Sequence, residues 1–176
     1  MVIKFDFNKR DIVMMAAFLA LMVLSGFLWL AGIVVGAIFH GILWGIILVT
    51  AAIVIGKKYT ILILGLIYTI INVSLANMYG GALAGLNTFA GALVLELIIQ
   101  MASPYASDLK LDLIGIFLFG LVSRTTYALI IIYIYGMVLP LWAIIGLILP
   151  HLITFPIGGY LGYKIGNKVK NVIESV

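Results

Sequence analysis

Apolar residues run through this chain in six long, nearly unbroken stretches, with polar residues clustered between them. The stretches cover about 11–30, 33–55, 60–78, 82–102, 111–135 and 139–163. Each is close to the roughly 20 residues a helix needs to cross the hydrocarbon core of a bilayer. Only helices and closed barrels satisfy their own backbone hydrogen bonds in lipid. Barrel strands would alternate apolar and polar residues in segments of about ten, and these runs do not alternate. The pattern therefore predicts an all-α polytopic membrane protein, with six transmembrane helices in one compact bundle and residues 1–176 as a single domain. The connections are short, so sequential helices are expected to pack as antiparallel neighbours. In the longest connection, SPYASDLKLD, Pro104 breaks the helix, and Asp108, Lys110 and Asp112 keep the chain in water.

Charge adds a direction to this pattern. Lys4, Lys9 and Arg10 precede the first stretch, Lys57 and Lys58 lie between the second and third, Lys110 between the fourth and fifth, and Lys164, Lys168 and Lys170 after the sixth. The other three connections carry no Lys or Arg, so nine of the ten basic residues fall on one side. By the positive-inside rule both termini are expected in the cytoplasm, with the chain passing repeatedly through the plasma membrane. The basic start followed by a full-length apolar run, with no small-residue cleavage site, reads as an uncleaved first helix. A composition 65% hydrophobic and 9% charged excludes an ordinary soluble domain, of which about a quarter is charged. The net charge of +4 then points to orientation and anionic lipid headgroups, with no nucleic-acid partner expected. Cysteine is absent, so disulfides and thiolate-bound metals are excluded.

Two charges fall inside the apolar runs: Glu96 in the fourth and Arg124 in the fifth. Charge at such depth costs about 2.5–3.5 kcal/mol on insertion scales, so these residues are expected to face the bundle interior and mark a path or pocket. At helical period, Gly85, Phe89, Ala92, Glu96 and Gln100 share one face, and Phe117, Gly120, Arg124, Ala128, Ile131 and Tyr135 share another. The two charges form either a structural ion pair or a ligand contact, and a pair that opens for a ligand would be both. A histidine within the membrane is either a hydrogen-bonded packing residue or a ligand contact. Of the two here, His151, on a face with Thr154, Gly158 and Gly162, is a better ligand candidate than His40, which shares a face with Gly36 and Trp44. Trp29, Tyr79, Tyr133, Tyr135 and Trp142 map to the outer helix ends, as an aromatic belt or as stacking groups for a heterocycle. Asn72, Asn77 and Asn87 add neutral polar groups to the outer half, Asn87 on the opposite face of its helix from Glu96. Hydrolase, phosphate-loop and metalloprotease motifs are missing, and His and acidic residues are too few for a metal site. No catalytic role, cofactor or metal is expected.

Small residues recur at four-residue spacing in Gly158, Gly162 and Gly166, in Gly41 and Gly45, and in Ala16 and Ala20, where helices can approach closely in lipid. Six helices, cytoplasmic ends, the alanine pair and the segment FAGALVLELI together resemble the substrate-binding S-components of energy-coupling factor vitamin transporters, in particular the thiamine or hydroxymethylpyrimidine subgroup. The resemblance implies a subunit that captures a vitamin or precursor from the outer side and itself hydrolyses nothing. Its first helix would dock through Ala16 and Ala20 on a transmembrane coupling protein driven by two ATPase subunits. In such relatives a fourth-helix glutamate and aromatic residues hold the cationic ligand, which implies Glu96 here, with Trp29, Trp142, Tyr127 or His151 in support. The very short connection between the first two helices departs from the longer outer loop of many relatives, and Arg124 would suit an anionic vitamin better than a cation. Two other functions fit the residues: a self-sufficient channel or ion-coupled carrier with Glu96, Arg124 and His151 as a relay, and an assembly subunit of a larger membrane complex held by the glycine faces.

Overall fold

The computed structural model describes residues 6–75 and 81–175, without the side chains of Trp29, Ile33 and Val34. The described chain is all-helical: α1 (Lys9–Gly26), α2 (Ile33–Ile55), α3 (Thr60–Ser74), α4 (Leu86–Ile99), α5 (Leu109–Leu129) and α6 (Leu141–Glu174). A 3₁₀ turn, Phe27–Ala31, extends α1, another, Ala82–Gly85, leads into α4, and a π turn, Ile130–Ile134, extends α5.

Local chemistry sets several of these ends. Asn8 and Asp11 form a reciprocal capping box at the start of α1, with bonds of 2.8 and 2.9 Å. Asp108 caps α5 through the Lys110 and Leu111 N–H groups. Gly56 ends α2 in the left-handed conformation, at φ 65°, which lacks a steric penalty only for glycine. Four segments are long and apolar enough to cross a membrane: Val35–Ile55, Ala82–Ile99, Leu109–Ile134 and Leu141–Glu174. By the same measure α1 and α3 fall short of the six predicted stretches. Helix α1 spends its first turn on Lys9, Arg10 and Asp11, and the described part of α3 has 15 residues, about 22 Å of rise. Helix α6 runs eleven residues past the predicted end at Tyr163, because Gly166 packs on Ile53 and the lysines that follow do not oppose a helix.

The order of the helices around the bundle differs from the chain order. The most extensive contact is between α2 and α6, and α2 touches α3 only slightly. The remaining contacts, α6 on α5, α5 on α4, α4 on α3, and α1 on both α3 and α2, close a ring. The expectation of sequential neighbours fails at α2–α3 because the glycines decide otherwise. A Cβ on Gly45 would lie 2.5 Å from the Phe155 carbonyl oxygen and 2.7 Å from the Gly159 nitrogen, and one on Gly162 would lie 2.8 Å from the Ile46 oxygen. With no hydrophobic force between helices in lipid, such backbone-to-backbone approach selects the partner.

The lysine-bearing ends gather at one end of the ring. Lys57 pairs with Asp11 at 2.8 Å, the Lys57 ammonium donates to the Asp6 carbonyl, and a Cβ on Gly56 would lie 3.8 Å from the Lys170 nitrogen. The interior above this end is filled by Leu48, Ile61, Leu64, Leu95 and Ile116, each at most 1% exposed.

Candidate functional site

Glu96 is at the lysine end, and three of its five hydrogen-bond partners are backbone N–H groups. Its Oε1 accepts the Tyr59 N–H at 2.6 Å and the Gln100 side-chain amide at 2.7 Å. Its Oε2 accepts the Ile61 N–H at 2.9 Å, the Leu62 N–H at 3.2 Å and the Tyr105 hydroxyl at 3.0 Å. The first N–H groups of any helix lack intrahelical acceptors and carry the positive end of its dipole. Glu96 therefore caps α3 from a different helix. Burial, and next the carboxylate of Glu96, push the Tyr105 phenol well above its ordinary 10.0, so it remains a donor. Glu96 is 1% exposed, its carboxylate bonds to groups around the start of α3 and to Tyr105 and Gln100, and no bond joins it to Arg124 among the described residues. Sequence spacing placed the glutamate on an inward face, but could not tell that α3 begins beside it.

Arg124 lies elsewhere, in the wall of a cavity of about 170 Å³ in the half of the bundle away from the lysines. This is slightly more than the engineered cavity of about 150 Å³ that accommodates benzene. Arg124 is 8% exposed, and its Nη2 lies 3.3 Å from His40 Nδ1. Arginine only donates, so Nδ1 accepts and the His40 proton sits on Nε2. One helical turn along α2, Trp44 stacks on His40 with centroids 5.0 Å apart, and its Nε1–H donates to Ser25 Oγ at 2.8 Å. Tyr68 meets Trp44 edge-on at 4.8 Å, and Phe119 lies at 5.9 Å. These rings form the aromatic part of the cavity lining. Asn72, Asn87, Thr88, Ser123 and Tyr127 supply its neutral polar part.

Of the predicted site residues, the structure brings Arg124 and Tyr127 to one cavity. His151 lies beside the lining: its Nδ1–H donates to the Leu147 carbonyl at 2.9 Å, and its ring stands edge-on to His40 at 6.4 Å. Trp142 is 76% exposed near the start of α6, two residues into the helix, and is not among the described residues that line the cavity. The Trp29 side chain, Asn77 and Tyr79 lie outside the described residues. Sequence reasoning passed over Tyr68, Phe119, Thr88 and Ser123, since each reads as ordinary helix interior until its neighbours are known. Asn87 lines the cavity and Glu96 does not, in line with their opposite faces on α4.

No protein-family model matches the chain, and neither does any curated protein or solved structure.

Proposed function

We propose that this chain is the substrate-capturing membrane subunit of an energy-coupled uptake transporter, taking a vitamin-sized molecule from the outer side. In this reading six segments cross the plasma membrane, both termini are cytoplasmic, and the subunit carries out no reaction of its own. The observation that carries it is the cavity, where a buried cation and an aromatic wall sit in the lysine-poor half of the bundle, which the positive-inside rule makes the outer half. Polar groups converging on an apolar hollow are the usual form of a small-molecule site.

The partner in this proposal is a transmembrane coupling protein with two ATPase subunits, docked on α1. Ala16 and Ala20 are exposed there, together with Ile12, Val13, Leu21 and Leu24, so the small-residue face of α1 is available outside the bundle. The packed apolar interior toward the lysine end favours capture over a self-sufficient channel, which would need a continuous path. The assembly-subunit alternative loses its main support, since Gly41, Gly45, Gly158 and Gly162 already meet one another's helices within the chain.

The test combines identification of ligand with transport. Purified protein should release a small molecule on denaturation, identified by mass spectrometry. Ala16→Trp and Ala20→Trp should retain that ligand yet lose uptake in cells; uptake at the wild-type rate would refute docking through α1. Flux into liposomes from the purified chain alone would favour the carrier alternative.

A further inference from the structure

The sign of the charge in the cavity identifies the kind of ligand. The chain has six side-chain carboxylates, and all of them belong to the lysine end. Asp6 and Asp11 are at the start of α1, Asp108 and Asp112 at the start of α5, Glu96 in the last turn of α4 and Glu174 at the end of α6. Among the described residues that line the cavity there is no aspartate or glutamate, and Arg124 is the lining's one lysine or arginine. The His40 imidazole beside it accepts a hydrogen bond from the guanidinium and adds no negative charge. The cavity is therefore positive, in a part of the molecule where water cannot screen it well. A cationic guest would add a like charge there. An anion would supply the charge balance that the chain provides only at its other end.

The walls narrow the choice further. Trp44 is fixed in place by its bond to Ser25, and Tyr68 and Phe119 pack around it, so the cavity offers aromatic surface to a flat ring. Its volume suits one ring with a small substituent. A planar guanidinium matches a carboxylate through two parallel N–H bonds, a fit that a ring-borne carboxylate can adopt without folding back on itself.

We infer that the ligand is a one-ring aromatic acid, with its carboxylate on Arg124 and its ring against Trp44 and Tyr68. This rests on the capture reading above and replaces the cationic ligand expected from the position of Glu96.

The experiment uses the full chain in nanodiscs, titrated calorimetrically with benzoate, benzamide and benzylammonium, which share a ring and differ in charge. Benzoate should bind at least about tenfold more tightly than either of the others. Arg124→Gln should abolish that preference while leaving benzamide within about twofold, and Arg124→Lys, which keeps the charge but loses the planar fork, should keep a weaker preference for the acid. Should the glutamine variant fail to fold, the wild-type comparison and the lysine variant decide by themselves. Benzamide or benzylammonium binding as tightly as benzoate would overturn the inference. Molecules released from purified protein separate this failure from failure of the capture reading. An aromatic acid supports both. A neutral or cationic molecule, or phospholipid as the only anion, overturns the acid alone. No released molecule together with no probe binding overturns both.

Discussion

At the residue scale, two ionised side chains of similar sequence setting have different functions. Glu96 joins α4 to the first turn of α3 and to Tyr105, so its charge is used by the fold. Arg124 bonds to His40 and lines a hollow, so its charge lies beside space that a guest could fill. Replacing Glu96 by Gln keeps the shape but turns an N–H₂ group toward backbone donors that need an acceptor. The expected loss is about 2–4 kcal/mol of stability, seen as a lower thermal unfolding midpoint in detergent, with ligand affinity little changed in the folded fraction. Lost affinity at unchanged stability would return Glu96 to the site. The ionised character of both residues was legible in the sequence, as was the inward turn of their helix faces. Which of them had backbone donors to satisfy was not, because those donors lie 34 to 37 positions away and become neighbours only when α3 docks on α4.

Among the elements, the pairing of α2 with α6 organises the rest. It brings Gly45 to Gly158 and Gly162, sets Gly41 against Thr154, and places His40 beside His151. Gly45→Ala would force a methyl group against the Phe155 carbonyl and the Gly159 nitrogen, neither of which can rotate away. Overpacking of this kind should cost about 1–3 kcal/mol of stability. Gly146→Ala, in the partner helix α6 but with nothing among the described residues within 4 Å of the added carbon, should be neutral or up to about 1 kcal/mol stabilising. Equal effects at the two positions, read from unfolding midpoints, would mean that the glycines do not select the helix partner. The four-residue spacing signalled close approach, but several faces carried it: those on α2 and α6 met each other, while Ala16 and Ala20 stayed exposed.

For the whole molecule, charge and cavity divide along one axis, with carboxylates and lysines at one end and the arginine-lined hollow toward the other. The absence of native cysteine makes this axis directly testable in cells. Val138, in the α5–α6 connection, is 95% exposed, and Ser107, in the connection between α4 and α5, is exposed as well. A Val138→Cys variant should react with a membrane-impermeant thiol reagent in intact cells, and Ser107→Cys only after permeabilisation. The reverse pattern would put the cavity on the cytoplasmic side and remove the case for capture from outside.

Taken alone, the amino-acid order determined that the chain is helical, that it carries helices apolar enough to cross a membrane, and which helix ends share the lysines. These follow from local quantities, since run length, hydropathy and the placement of lysine act segment by segment on the cost of leaving water. The tertiary structure decided which helices are neighbours, which buried charge is a cap and which faces a cavity, and which rings line it. A helical period tells which face a side chain occupies but not what that face meets. In lipid, where apolar surface is no driving force, the answer depends on backbone approach and hydrogen-bond partners far apart in the chain.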